Sequence, residues 1–569
     1  MRLIFPFIIF CLLSVAANAQ SQPIPHLEKD GRVTKLIVQG KPFLVLGGEL
    51  HNSSTSGAAY MRPIWKRMSE KNLNTVIAAV YWELVEPQEG KFDFALVDSM
   101  ISGARREKLH LVILWFGSWK NGYSVYAPGW VKNNSGKYPR AKDNSGKTLQ
   151  HLSTFGEATA LKDAAAFKAL MQHVRATDEK YQTVIAAQIE NEVGLFGIPR
   201  DYRPEAEQAY QSQVPKDLIN YLVSHKSSLQ PAIDSAWRMN GYKTTGNWED
   251  VFGKSIFDQK DWKAFSFLTE ELFTVYHYAK YIGGVAAAGK LAYPIPMYVN
   301  AWIKQDGFAW PGRYPAGGPI PHTLDMWHAA APAVDFIAPD IYVPDAKYIL
   351  GQYHLPGNPV FIPEIRPGIQ SANEAFWAFG EHEAICFSPF GIDDTEAKDD
   401  PITQTYAVLK QAGDLIMQQY GKGTMRGIYL DSISSKQVFE LGGYQVTASL
   451  GTGSMAELAG FSIGQKKTQM AGGIIIHTTP DEFIVIGKDY NLGFKSLKED
   501  DQTLDVEYLD EGSFVNGKWV TSRRLNGDEG TGGGDYGFGF GNPKVASLRF
   551  RPKASGEYSI VRFKIYKYH

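Results

Sequence analysis

Two short segments place carboxylates at the end of an apolar run. Thr183-Val184-Ile185-Ala186-Ala187 leads into Gln188-Ile189-Glu190-Asn191-Glu192, and Phe361-Ile362-Pro363 leads into Glu364-Ile365-Arg366. A carboxylate buried as an anion is costly unless it is paired or hydrogen-bonded. Such positions therefore need a partner or a task. One carboxyl group that gives up a proton, facing a second that stays ionised, is the equipment of glycoside hydrolysis. The first protonates the leaving oxygen, and the second stabilises or attacks the oxocarbenium-like centre. Their pKa values must be driven apart, which burial and like-charge repulsion in a shared cleft can do. The competing expectation is a structural ion pair, Glu364 with Arg366 for instance. Spacing does not choose between Glu190 and Glu192, because residues two apart on a strand share a face.

The pair works only if a frame brings these distant segments to one rim. From about residue 40 to 420, short apolar strands alternate with longer helical stretches, which argues for βα units and a parallel sheet. Eight strands can be read: Pro42–Leu50, Asn74–Trp82, His110–Phe116, Thr183–Glu190, Tyr293–Trp302, Val334–Tyr342, Pro359–Ile365 and Ala384–Gly391. Helical spacing marks Phe94–Lys108, Thr269–Ala288 and Thr403–Tyr420 between them. This order predicts an α/β fold, a (β/α)8 TIM barrel, whose functional residues sit at the C-terminal strand ends. An open doubly wound sheet is the rival, but Gly47-Gly48-Glu49-Leu50-His51 after strand one is not its phosphate-binding loop. Residues 117–160 and 193–265 are long excursions from strands three and four, on the functional side. Arg32–Lys41 reads as a hairpin arm that plugs the barrel bottom. After residue 420 apolar and polar residues alternate between Gly, Pro and Asp turns, predicting an antiparallel β-sandwich-like domain over 421–569. The Gly-rich stretch 530–544 lacks the Lys-Ser/Thr of a phosphate loop and reads as a mobile loop.

Composition bounds the rest. A positive start at Arg2, an apolar run over Leu3–Val15 and Ala17-Asn18-Ala19 predict a cleavable signal peptide over 1–19. Residues 20–420 would then form the barrel of a secreted or periplasmic chain with no membrane span. Cleavage removes Cys11 and leaves Cys386 alone, so no internal disulfide is expected. A net charge of -2 gives no electrostatic case for nucleic acid. Aromatic residues make up 13% of the chain, suiting both a core and stacking on sugar rings. A metal-dependent barrel hydrolase would want His-x-His after strand one; Glu49-Leu50-His51-Asn52 stands there, and later strand ends offer no histidine. No metal or organic cofactor is expected.

Asn-Glu after strand four and Glu after strand seven form the pattern of the clan of retaining (β/α)8 glycosidases. More narrowly, the chain resembles the glycoside hydrolase family 35 β-galactosidases, over about residues 30–420. The resemblance rests on GKPFLVLGGELHNSS (40–54), LNTVIAAVYWELVEPQEGKFDF (73–94) and QIENEVG (188–194). The tail resembles the β domain of a bacterial branch. The resemblance implies Glu192 as general acid/base, Glu364 as nucleophile, and Asn191 as a ligand of the sugar 2-hydroxyl. It implies a carbohydrate substrate and no cofactor, and the bacterial branch points to xyloglucan or galactan fragments. Glu190 becomes a supporting residue or a ligand of another hydroxyl. The usual Tyr-Val-Pro-Trp-Asn reads Ala79-Val80-Tyr81-Trp82-Glu83 here, so Trp82 and Glu83 are candidate sugar contacts in an altered pocket. Tyr342, Trp119, Trp302 and Glu49, at other strand ends, complete the candidate binding set.

Overall fold

The structure is a computed structural model that describes residues 23–255, 269–305, 307, 309–450, 469–498, 502–525, 545–550 and 557–569. The expected leader with Cys11 and the Gly-rich stretch 530–544 lie outside the described residues. Eight parallel strands make the first sheet: β1 (Val45–Leu46), β2 (Thr75–Tyr81), β3 (His110–Lys120), β4 (Val184–Asn191), β5 (Met297–Trp302), β6 (Phe336–Ile341), β7 (Phe361–Ile365) and β8 (Cys386–Pro389). Their order is β1-β8-β7-β6-β5-β4-β3-β2. The ring closes between β1 and β2 just past Leu46. The Ile77 N–H donates to the Gly48 carbonyl at 2.9 Å, and the Leu50 N–H donates to the Ile77 carbonyl at 3.1 Å. The parallel barrel is therefore present as expected.

The apolar strands fill both of their faces, as parallel strands covered by helices must. Ile77, Val112, Leu114, Tyr298, Phe336 and Phe361 pack inside the ring. The arm folds as three short antiparallel strands, His26–Asp30, Val33–Val38 and Lys41–Pro42. Its Leu36 and Val38 belong to the same interior cluster, so the arm closes the end of the barrel where β1 begins. Two long helices, α1 (Glu157–Asp178) and α2 (Thr269–Ala292), lie against each other outside β3 and β4. The excursion after β3 carries a hairpin of Arg140–Lys142 and Thr148–Leu152. The one after β4 carries four helices between Pro204 and Phe252.

β3 departs from expectation. It does not stop at Phe116 but runs to Lys120, because its register against β4 breaks between Trp115↔Ile189 and Lys120↔Asn191. Phe116 to Trp119 bulge out opposite Glu190 alone. A bulge of this kind is not visible to a reading of apolar runs.

From Met425 onward the described residues form two antiparallel sheets of six and four strands. Ile428, Leu430, Phe439, Val446, Phe483, Phe494 and Phe563 pack between them as a separate core. The six-stranded sheet lies on helix α3 (Ile369–Glu381) of the barrel. The approach is so close that a Cβ on Gly380 would come within 2.7 Å of the Gly427 Cα. Arg426 clasps Glu381 at 2.7 and 2.9 Å beside that contact.

Candidate active site

β7 and β6 are neighbours in the ring and β4 follows with β5 between, and each of the three delivers a carboxyl group to the C-terminal rim. Asp340 on β6 is in register with Glu364 on β7. One oxygen each of Glu192, Asp340 and Glu364 lies within 4.8 Å of the other two, and all three residues are buried. They line a cavity of about 420 Å³ together with Asn52, Lys120, Asn121, Trp302, Ile303, Gln305, Tyr342 and Phe390. Glu49, at the closure of the ring, is 1% exposed, and neither of its oxygens has a donor among the described residues.

The backbone at the end of β4 explains how Glu192 reaches the cavity. Glu190 (φ 60°) and Glu192 (φ 45°) both adopt left-handed backbone, which is strained for a side chain with a Cβ and concentrates at functional sites. The strand pleat is lost there, so the two glutamates do not share a face as the spacing predicted. Glu190 turns away and takes the Ser118 and Trp119 N–H groups at 2.9 and 2.7 Å. Glu192 turns to the cavity, its own N–H held by the Asn300 Oδ1 at 2.9 Å.

An amide network fixes this rim. Asn300 Nδ2 donates to Asp340 Oδ2 at 2.7 Å and to Asn191 Oδ1 at 3.1 Å. Gln188 Nε2 also donates to Asn191 Oδ1, and Asn191 Nδ2 donates to Asn121 Oδ1, each at 3.1 Å. Tyr342 donates its phenol O–H to Glu364 Oε2 at 2.7 Å, while Glu364 Oε1 has no donor among the described residues. Arg366 is bound to Glu374 at 2.7 and 2.9 Å, so the expected structural pairing with Glu364 is not made.

Electrostatics separate the carboxyl groups. Burial, and then the charge of Glu364, push Glu192 up to about 8, against the opposing effects of Lys120 and a hydrogen bond from Asp340. Burial, then Glu364 and Glu192, hold Asp340 well above the usual carboxylate range. Glu49 is raised likewise, by burial first and then by Glu364, with Lys120 opposing. Tyr342 is raised by burial and by Glu364. Near neutral pH this shift favours the protonated carboxyl of Glu192. The three converging oxygens form a hard-cation donor set in kind. Tyr342 and Asn300 already occupy one oxygen each of Glu364 and Asp340.

Among the expected sugar contacts, the cavity holds Trp302 and Tyr342 and excludes several others. Trp82 is fully buried, donates to Glu86 Oε2 at 2.8 Å and packs edge-on against Trp130, because β2 ends one residue earlier and turns into a short helix. Trp119 is buried against Tyr278 and Tyr281 and donates to the Leu152 carbonyl, since the bulge directs it outward into the α2 layer. Glu83 is the second residue of that short helix and pairs with Lys132 at 2.9 Å, as a rim charge rather than a cavity residue. Asn191, Glu190 and Glu49 are buried behind the cavity wall instead of lining it. Sequence reasoning missed Lys120, Asn121, Asn52 and Gln305. The Lys120-Asn121 signal was present in the strand-three segment, but ending that strand at Phe116 left both in a loop.

A (β/α)8 barrel with two carboxyl groups converging from the ends of β4 and β7 has the layout that glycoside hydrolysis requires. Residues 35–270 match the family model described as Glycosyl hydrolases family 35. Residues 402–534 match a domain of unknown function, DUF5597. A β-galactosidase of Xanthomonas manihotis is 26% identical over 203 residues, 34% of this chain and 31% of that protein. Beta-galactosidase 11 of Arabidopsis thaliana is 37% identical over 62 residues, 11% of this chain and 7% of that protein. The chain thus spans under a third of the length of these curated relatives. The structure of Gan42B, a GH42 β-galactosidase, superposes over 92% of this chain and 98% of its own, with a TM-score of 0.50 at 10% identity. That likeness concerns the fold.

Proposed function

We propose that the chain is a retaining exo-β-galactosidase that releases terminal β-linked galactose from oligo- or polysaccharide side chains, with xyloglucan or galactan fragments as the substrate class. The observation that carries this reading is the approach of Glu192 and Glu364 to within 4.8 Å of each other on the cavity wall. Retaining enzymes hold their carboxyl groups about 5–5.5 Å apart, whereas inverting ones leave about 6.5–9.5 Å for a water. In the first step Glu192 gives its proton to the glycosidic oxygen as Glu364 attacks the anomeric carbon, and the aglycone leaves. In the second, Glu192 takes a proton from water, which attacks the same carbon and frees Glu364. Glu192, held up to about 8, is protonated for the first step. Tyr342 orients Glu364 and steadies it as a leaving carboxylate. The cavity, at about 420 Å³, suits one terminal sugar with its linkage. Export through a cleavable leader to a bacterial periplasm or the exterior fits a polysaccharide substrate.

The altered segment Ala79-Val80-Tyr81-Trp82-Glu83 favours a second reading, a retaining exo-glycosidase of the same clan for another β-sugar, because Trp82 and Glu83 do not line the cavity. A panel of aryl β-glycosides decides. Galactoside turnover well above that of glucoside, xyloside, mannoside and arabinoside supports the galactosidase. Preference for another sugar supports the second reading. Turnover of none contradicts both.

A further inference from the structure

Behind the cavity lies a second pair of carboxyl groups that the double displacement does not use. Glu190 on β4 and Asp163 on α1 are both fully buried. They converge on one backbone donor: the Ser118 N–H serves Glu190 Oε1 at 2.9 Å and Asp163 Oδ2 at 3.1 Å. Glu190 Oε2 takes the Trp119 N–H at 2.7 Å. Asp163 also takes the Trp115 indole N–H at 2.9 Å, the Ser118 hydroxyl at 2.6 Å and the Tyr281 hydroxyl at 3.3 Å. Two fully buried carboxyl groups that converge on one N–H repel each other as anions, so such a pair is favoured with a proton held on one of its members.

Their place in the sheet shows what they build. Between Trp115↔Ile189 and Lys120↔Asn191, β3 spends four residues where β4 spends Glu190 alone. The bulged Ser118 and Trp119 N–H groups lose their ladder partners, and a buried N–H without one costs about 1–3 kcal/mol. The side chain of the one residue opposite the bulge supplies both acceptors. Gly117 completes the fit: a Cβ there would lie 2.6 Å from Glu190 Oε1 and 2.7 Å from Asp163 Oδ1. The bulge ends at Lys120 and Asn121, which line the cavity.

We propose that Glu190 and Asp163 are a proton-sharing positioning pair that folds the β3 bulge and so holds Lys120 and Asn121 in the cavity wall. Its effect on turnover rests on the glycosidase reading above; its effect on geometry does not. The test compares Glu190→Ala and Glu190→Gln with wild type on an aryl β-galactoside, well below each variant's melting temperature, with and without azide, alongside a crystal structure of a folded variant. Displacing wall groups by about 1 Å costs roughly 10²-fold in rate. Glu190→Ala should lose about that much in kcat/KM without azide rescue. Glu190→Gln, which keeps one acceptor and offers a donor to Asp163, should retain more. Lys120 and Asn121 should be displaced in the crystal.

A lowered melting temperature with kcat/KM within about twofold of wild type and an unmoved bulge would reduce the pair to a stability element and overturn the proposal. Azide rescue would also overturn it, by making Glu190 an acid/base. If wild type hydrolyses no glycoside, the functional reading fails, and the crystal alone decides the pair: a shifted bulge upholds it, a superimposable one refutes it. If Glu190→Ala does not fold, Glu190→Gln carries both readouts.

Discussion

Tyr342→Phe isolates one atom of the proposed mechanism. The phenol O–H lies 2.7 Å from Glu364 Oε2, and Glu364 Oε1 has no donor of its own among the described residues. Removing the hydroxyl therefore strips this 3% exposed carboxylate of its protein hydrogen bond. A hydrogen bond to a charged group contributes about 1.5–3 kcal/mol. At about 1.36 kcal/mol per tenfold in rate, that is roughly 10- to 150-fold. The loss should fall on the step in which Glu364 departs as a carboxylate, because that is where the donor stabilises developing charge. With an activated aryl galactoside, kcat should fall by that factor, KM should fall with it, and a burst of released phenol should mark the accumulating glycosyl-enzyme. Stopped-flow absorbance reads all three. A kcat within about twofold of wild type with no burst would refute the reasoning, since a bond of that kind cannot vanish without consequence.

The remaining expectations concern protonation and placement. Glu192, raised to about 8, must be protonated to serve the leaving group. The pH profile of kcat/KM should therefore hold to about pH 8 and then fall about tenfold per unit, and a limb near the ordinary glutamate range would contradict the assignment. Glu49, Asp340 and Glu190 are all raised in the fold, chiefly by burial. The native state thus keeps protons that the unfolded chain has released. The stability they contribute is full below the ordinary carboxylate range and is lost as pH rises through the raised values. Calorimetry should show the melting temperature falling as pH rises above the ordinary carboxylate range, and Glu49→Gln or Asp340→Asn should flatten that fall. Trp82→Ala should cost about 3–5 kcal/mol in denaturant melts and leave KM of the folded enzyme unchanged. Trp302→Ala should do the reverse, so a matching KM effect in the two variants would undo the separation of core from cavity. Glu83→Gln removes a half-exposed pair worth about 0–1 kcal/mol and should leave kcat/KM within experimental error.

The parallel barrel was legible because strands buried on both faces read as continuous apolar runs, and eight of them alternate with helices. Glu192 and Glu364 were legible as candidates because strand ends deliver side chains to one rim. The relation of Glu190 to Glu192 was not, since it depends on left-handed backbone at both residues, which alternation along a strand does not encode. Lys120 and Asn121 were hidden for a related reason: the bulge that brings them to the cavity is held by side chains from β4 and α1, remote in sequence. Trp82 and Trp119 illustrate the opposite error. An aromatic at a strand end can stack on a sugar or fill the layer outside the barrel, and only its direction separates the two. Asp340 falls inside the apolar run Val334–Tyr342, but its approach to two further carboxyl groups came only with the fold.

The central claim is that Glu364 becomes covalently attached to the sugar. Incubation with a 2-deoxy-2-fluoro-β-galactosyl fluoride, followed by proteolysis and mass mapping, tests it directly. Time-dependent inactivation and one fluoro-sugar adduct are expected, on the peptide carrying Glu364 and at that residue. An adduct on Glu192, Asp340 or Glu49 would contradict the assignment, and turnover of a galactoside with inverted product and no adduct at all would contradict the mechanism.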